Sequence, residues 1–322
     1  MAETRGVIAT SAPAKVVLSG EYAVLIGAPA LVAALDRRVR CRLTVRQQGG
    51  WDFRGTGHEM HQRMLRDEVL ASPADTLAGI VPQVLRPTET PPHVAVEIDS
   101  TACYQGGVKL GIGSSAAVVA SFATALSALA GRRCRLAELL ALHQRLQGGG
   151  SGLDVAAAAT GGVIRFETGK AVPVTLPRGL HLRFVFAGHG TATAPMLARF
   201  HAWRSGEMPA ALRALKHAAG QVAAEASVGV AAAHFLESLA LNAEALMHMD
   251  DAAGIGIFGP AHRTAARLAA KSGVVYKPCG AGGGDIGVAA SDSVERLGAF
   301  LADTAEAGLT PIAASIDPDG VG

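Results

Sequence analysis

The sequence predicts an α+β chain folded as two lobes. Three observations carry that expectation. Short runs patterned as strands alternate with Ala-rich helical stretches from one end to the other. The pattern changes after Gly161-Gly162, where three strand candidates are followed by four helical stretches in succession. The 322 residues, 49% of them hydrophobic, are enough for two buried cores. The seam falls near residues 165–180, which sets the lobes at 1–170 and 171–322.

In order, residues 6–18 read as strand with a break at Pro13. Residues 22–26 and 30–45 carry more strand pattern, with arginines interleaved among Val32, Leu35, Val39, Leu43 and Val45. Residues 67–85 read as helix and 94–98 as strand. A Gly-rich turn leads into a helix over 115–130, closed by Gly131. Another helix covers 135–146. Beyond the double glycine, strands are predicted at 163–166, 172–176 and 182–186. Helices follow near 193–204, 210–226, 231–249 and 260–270. Residues 274–276 and 286–290 are short strands. Asp292 and Glu295 have capping-box spacing ahead of a helix over 294–306, and 310–316 is the last strand. No repeat is present.

Charged residues make up only 17% of the chain and the formal net charge is +2. No block of Lys or Arg dominates, which argues against nucleic acid and admits a small anionic substrate. The first ten residues carry Glu3 and Arg5 and no apolar stretch of signal-peptide length. No apolar run reaches the ~18 residues of a membrane span. Cys41, Cys103, Cys134 and Cys279 form no C-x-x-C pair and read as free thiols in a reducing compartment. A cytoplasmic enzyme fits these features; the oligomeric state stays open. His58-Glu59-Met60-His61 lacks the H-E-x-x-H spacing of a zinc site.

The sharpest feature is Lys109-Leu110-Gly111-Ile112-Gly113-Ser114-Ser115-Ala116-Ala117. Gly111 and Gly113 permit backbone conformations that side chains forbid. Ser114 and Ser115 stand where a helix begins, and Ala116 keeps that start free of bulk. The first N–H groups of a helix have no internal partner and lie at the positive end of its dipole, so a polyphosphate can bind there. A serine hydroxyl can also ligate Mg²⁺. The same residues also suit an ordinary Ser-capped turn, and neither a Walker A loop nor G-x-G-x-x-G is present. Two further glycine clusters point to close backbone approach by a ligand: Gly148-Gly149-Gly150-Ser151-Gly152-Leu153-Asp154 and Lys277-Pro278-Cys279-Gly280-Ala281-Gly282-Gly283-Gly284-Asp285.

These three clusters, preceded by Ala12-Pro13-Ala14-Lys15-Val16-Val17-Leu18-Ser19-Gly20-Glu21-Tyr22-Ala23-Val24-Leu25, resemble the GHMP kinases over residues 12–290. The resemblance implies an N-terminal lobe with a left-handed β-α-β unit, a ferredoxin-like C-terminal lobe and an active site between them. It implies ATP and Mg²⁺ as cofactors. Gly20-Glu21-Tyr22-Ala23-Val24 and the Lys277–Asp285 cluster are most similar to the branch that phosphorylates phosphomevalonate. Mevalonate-phosphorylating members usually have His where Tyr22 stands. They also have Glu eleven residues before the catalytic Asp, where this chain has His143.

The resemblance gives each residue an expected role. Lys15 is the cation at the transferring group, and Asp154 orients it or acts as base; Asp154 also suits a helix N-cap. Lys109, Gly111, Gly113, Ser114, Ser115 and Ala116 hold nucleotide phosphate, with Ser115 on the metal. Glu21, Tyr22, Ser151, Gly152, Thr191, Thr193, Gly282, Gly283 and Gly284 are expected at the substrate. Asp285 is either a turn residue or part of the site. Trp203 edges a substrate pocket or packs its helix, the commoner use of Trp. Besides phosphomevalonate, the acceptor alternatives are mevalonate or another small alcohol; a related decarboxylase and a non-catalytic homologue are the remaining readings.

Overall fold

The longest strand explains the layout. In a computed structural model describing residues 5–147, 149–226 and 229–322, β2 (Ala30–Val45) changes character halfway. Ala30 to Leu35 are buried on both faces; beyond them Val39, Cys41 and Leu43 point inward while Arg40 and Arg42 face solvent. That is the two-residue alternation of a strand covered first on both sides and then on one. β1 (Arg5–Ser19) pairs antiparallel along the length of β2, with a register shift at Pro13, which has no N–H for the ladder. β3 (Trp51–Thr56), β4 (Met60–Met64) and β5 (Val94–Asp99) extend the sheet at one end of β2, and β8 (Val163–Glu167) with β9 (Lys170–Val174) at the other. β3 and β5 are parallel, joined through β4, α1 (Arg66–Leu70) and α2 (Ile80–Val84), and supply a β-α-β unit. A small hairpin, β6 (Tyr104–Gln105) and β7 (Val108–Lys109), precedes α3 (Ser114–Leu129).

α3 packs on one face of this sheet through small residues, Ala116, Ala117, Ala120 and Ala123, together with Phe122, which is fully buried. After α4 (Leu136–Gln147), α5 (Leu153–Thr160) covers the other face, over Val17, Ala30, Val32 and Ile164. The second sheet has the order β11-β12-β10-β13 and is antiparallel throughout, from β10 (His181–Phe186), β11 (Val275–Pro278), β12 (Ile286–Ser291) and β13 (Thr310–Ile312). That order is the ferredoxin-like one. Between β10 and β11 run α6 (Thr193–Trp203), α7 (Ala210–Glu225), α8 (Ala232–Ala253) and α9 (Pro260–Ser272). α9 and α10 (Val294–Glu306) pack on one face, over Val185 and Ala289; Phe184, Phe186 and Val288 on the other face join the same core as α3. The two sheets therefore share apolar packing. The tail then returns to the first sheet, where Ile316 bridges Leu35 and Arg38 donates to Asp317 at 2.6 Å.

Several expectations are corrected. Residues 23–26 form a 3-10 turn, not strand, because Tyr22 enters it with φ +60°. The helix expected over 67–85 is two short helices separated by a turn at Pro73. α10 is capped by Ser293, whose hydroxyl accepts the Arg296 N–H at 3.2 Å; Asp292 instead pairs with the Arg296 side chain. The last strand ends at Ile312. Glu3 and Gly148, both used in the sequence reading, lie outside the described residues. The four cysteines are free, and no described helix is long and apolar enough to cross a membrane. His61 Nε2 donates to Asp52 Oδ1 at 3.0 Å across the β3–β4 hairpin.

One carboxylate organises the loop that follows α8. Asp250, buried, accepts the N–H groups of Gly256 and Ile257 on Oδ1 at 2.7 and 2.8 Å, and that of Phe258 on Oδ2 at 2.8 Å. Asp250→Ala leaves these donors without an acceptor and is expected to cost about 3 kcal/mol or more. Urea unfolding checks this; a midpoint shift worth less than about 1 kcal/mol at unchanged slope contradicts it.

Candidate active site

Side-chain alternation on β1 decides where Lys15 points. Val17 packs under α5, and Lys15, two residues earlier, shares its face and meets the start of that helix. There its Nζ lies 3.1 Å from Asp154 Oδ1. The Lys15 side chain is 8% exposed and Asp154 32%, so the pair opens to solvent on the carboxylate side. Lys15 is thus a buried mid-strand residue. Gly152, with φ +83°, occupies the helix-cap position, leaving Asp154 in the first turn of α5.

The glycine turn ahead of α3 lies across this lysine. Gly113 is in the left-handed conformation at φ +77°, and a Cβ there would fall 2.7 Å from Lys15 Cε. The Lys15 N–H also donates to the Ile112 carbonyl at 2.8 Å. Glycine is therefore required at 113 twice, by its dihedral angle and by the close approach. Ser114 begins α3 buried, while Ser115 is exposed and its hydroxyl lies 3.5 Å from Gln147 Nε2. The amides of Ser114, Ser115 and Ala116 are the orphan donors of a 16-residue helix. Lys109 is exposed at the end of β7. Ser151 accepts the Leu153 N–H at 3.4 Å, just before Asp154.

The third glycine cluster reaches the same place from the second sheet. Asp285, at φ +58°, lays its carboxyl against Gly111, where any Cβ would overlap it, and Oδ1 accepts the Thr191 N–H at 3.0 Å. Burial raises the Asp285 pKa, opposed by the Thr191 N–H and by Lys15, Lys109 and His189. Gly283 and Gly284 pack on Thr191, and the Gly283 N–H donates to the Ile257 carbonyl at 2.7 Å. Gly282 packs on Ile257 too tightly for a Cβ. Thr193 opens α6, exposed. All three glycine clusters and Lys15 are connected: Asp154 to Lys15, Lys15 to Gly113, Gly111 to Asp285, and Asp285 to Thr191.

Two residues expected at the substrate turn inward. Glu21 and Tyr22 are buried, at 4% exposure each. Glu21 pairs with Lys277, itself fully buried, and Lys277 also donates to the Pro278 carbonyl at 2.9 Å. Burial holds the Glu21 carboxyl above its usual range although Lys277 opposes this. Tyr22 donates to the Ala281 carbonyl at 2.7 Å and packs on Phe200, 5.1 Å between centroids. Both residues support the third glycine turn from the first lobe. Trp203 packs on Phe200. His143 is buried with Nε2 unpartnered; burial lowers its pKa, Asp154 opposes that and Lys15 adds to it. Sequence reasoning left unassigned the Glu21–Lys277 pair and His189, whose partners are remote in the chain, and Asp250, whose partners are backbone N–H groups that carry no side-chain signal.

A concavity of about 650 Å³ lies elsewhere, on the solvent face of the first sheet. It is lined by Arg40, Arg42, Arg54, Glu97 and Asp99, charges that neighbour one another across the strands. It contains no glycine turn or helix start, so its size does not outweigh the chemistry gathered around Lys15.

A helix start freed of side chains, a lysine clamped beside it and glycine turns from both sheets form one candidate site whose chemistry suits phosphoryl transfer. Residues 78–162 match the GHMP kinases N terminal domain. Among similar proteins, phosphomevalonate kinase of Streptomyces sp. (strain CL190) is 25% identical over 89% of this chain and 90% of its own. Mevalonate kinase of Pyrococcus horikoshii is 27% identical over 67% of each chain. The solved structure of Streptococcus pneumoniae phosphomevalonate kinase in complex with phosphomevalonate and AMPPNP covers 97% of this chain and 100% of its own, with 18% identity and a TM-score of 0.78. The chain is thus similar to GHMP kinases over most of its length, and its relatives include both phosphomevalonate and mevalonate kinases.

Gly113→Ala should lower kcat by ~10-fold or more, because a group pushed from its place by a fraction of an ångström loses alignment. Its stability should fall by only about 1–2 kcal/mol, the cost of a left-handed alanine. Steady-state kinetics with chemical denaturation checks both; unchanged kcat contradicts the close approach.

Proposed function

We propose that the chain transfers the γ-phosphoryl group of ATP to the phosphate of 5-phosphomevalonate, giving 5-diphosphomevalonate. The observation that carries this reading is the Lys15–Asp154 pair beside the phosphate turn. Asp154 spends Oδ1 on Lys15, which suits an acceptor that needs no base. A phosphomonoester, with a second pKa near ~6, is ionised at neutral pH. The remaining tasks are alignment and relief of repulsion between anions. Two unit charges 4 Å apart interact by about 4 kcal/mol at an effective dielectric near 20. The Lys15 ammonium, held on a short tether, offsets that repulsion where the phosphoryl group passes.

The free amides at the start of α3 would hold the nucleotide phosphates, with Lys109 as an exposed cation at the turn's edge. The exposed Ser115 hydroxyl would join phosphate oxygens and water around Mg²⁺, which would neutralise charge on the polyphosphate when bound. Among the described residues no group of three His, Cys, Asp or Glu side chains could hold a metal, so the ion would arrive with the nucleotide. Thr191, Gly283, Gly284 and Ser151 would border the acceptor.

Support for this acceptor comes from the phosphomevalonate kinase that aligns over 89% of the chain and from the motif around Tyr22 and Lys277. A second reading, mevalonate as acceptor, draws on the mevalonate kinases among the relatives. ADP release from mevalonate and phosphomevalonate in parallel separates them; turnover of mevalonate alone overturns the first reading.

Lys15→Ala is expected to lower kcat by ~10²-fold or more, the usual effect of deleting a preorganised charge. Asp154→Asn should cost less with a phosphate acceptor than with an alcohol. Equal losses on both acceptors would count against the orienting role.

A further inference from the structure

Behind the third glycine turn lies a polar relay that the site does not use directly. His262, on the first turn of α9, has no exposed surface. Its Nε2 is 2.7 Å from the Gly284 carbonyl oxygen and its Nδ1 is 2.8 Å from the Tyr276 hydroxyl. A carbonyl can only accept, so Nε2 carries the proton. Burial pushes the imidazole pKa down to about 4, which keeps the ring neutral at neutral pH. Nδ1 is then an acceptor, and the Tyr276 hydroxyl donates to it. The route exists because residue 287 is glycine; a Cβ there would overlap the Tyr276 hydroxyl.

The relay ends on the peptide between Gly284 and Asp285. The N–H of that same peptide, from Asp285, donates to the His189 carbonyl at 2.8 Å. Both polar ends of one peptide plane are therefore held. The next dihedral is the positive φ of Asp285, an arrangement worth of order 1–3 kcal/mol in strain that persists only when its surroundings dictate it. That dihedral sets the Asp285 carboxyl against Gly111 and under the Thr191 N–H.

We propose that His262 and Tyr276 are positioning residues for phosphoryl transfer, acting through the Gly284–Asp285 peptide to set the angle at which the third glycine turn meets the phosphate turn. Two apolar residues of similar volume would fill the same core without fixing a peptide plane. The relay thus supplies orientation, and its loss shows in turnover more than in folding.

The test compares His262→Leu, His262→Gln and Tyr276→Phe, assayed well below their melting temperatures. Loss of alignment should lower kcat by ~10-fold in His262→Leu and by ~3-fold or more in Tyr276→Phe, with KM for ATP within ~2-fold of wild type. His262→Gln, whose amide can still donate to Gly284, should recover kcat to within ~3-fold of wild type. Variants that lose thermal stability but keep kcat overturn the proposal, as does a Gln variant no better than Leu. Histidine ¹⁵N NMR of the wild-type enzyme adds a readout that needs no variant to fold: Nε2 protonated and Nδ1 bare is expected, and the opposite tautomer overturns it. The inference rests on the kinase reading but not on the acceptor, and the tautomer is read without turnover, so its failure is distinguishable from failure of the acceptor assignment.

Discussion

The close approach of the Lys15 stem to Gly113, with Asp154 holding the far end of the same side chain, is the constraint on which the site depends. A lysine is long and flexible, and left free it would sample many rotamers. Here the glycine turn presses on its stem and a carboxylate takes its ammonium. The conformational cost of fixing that charge is met in folding, before any ligand arrives. Three independent pieces of chain must cooperate: the β1–β2 register that points Lys15 toward α5, the left-handed turn before α3, and the start of α5.

A second set of contacts brings the two sheets together at that point. Glu21 and Lys277 form a buried ion pair between segments 256 positions apart, and Tyr22 reaches the Ala281 carbonyl. Taking two charges out of water is costly, so such a pair is weak as a source of stability. Its use here is geometric. It ties the first lobe to the strand that leads into the third glycine turn, while Asp285 closes the loop back to Gly111. Asp250 and the His262 relay hold the same turn from behind. The flexible glycines are thus braced on several sides by side chains that never face the cleft.

Much of this is legible in the sequence where local chemistry dominates. The Ala-rich run before Gly131 can only pack closely as a helix, and the glycines and serines ahead of it mark its start. The β-patterned segments of β2, β5, β8, β10 and β12 carry their own periodicity. Residues 22–26 mislead, because Tyr22, Val24 and Ile26 look like a strand while the φ of Tyr22 ends one. β3 and β4 escape notice because Trp51 and Phe53 are buried only once pairing with β5, forty residues on, sets them in the core beneath α3, where Phe53 meets Phe122. Lys15 and Asp154 are recognisable by motif, but the reason they meet is a strand register set by distant residues. The inward turn of Glu21 and Tyr22 follows from partners at 277 and 281, which no local pattern announces.

A double-mutant cycle on kcat addresses the central claim most directly, using Lys15→Met, Asp154→Asn and the pair together. If Asp154 works by holding Lys15, the double variant should be within about 3-fold of Lys15→Met alone, since residues acting as a unit are strongly non-additive. Losses that multiply would mean that the two side chains act separately and would contradict the clamp.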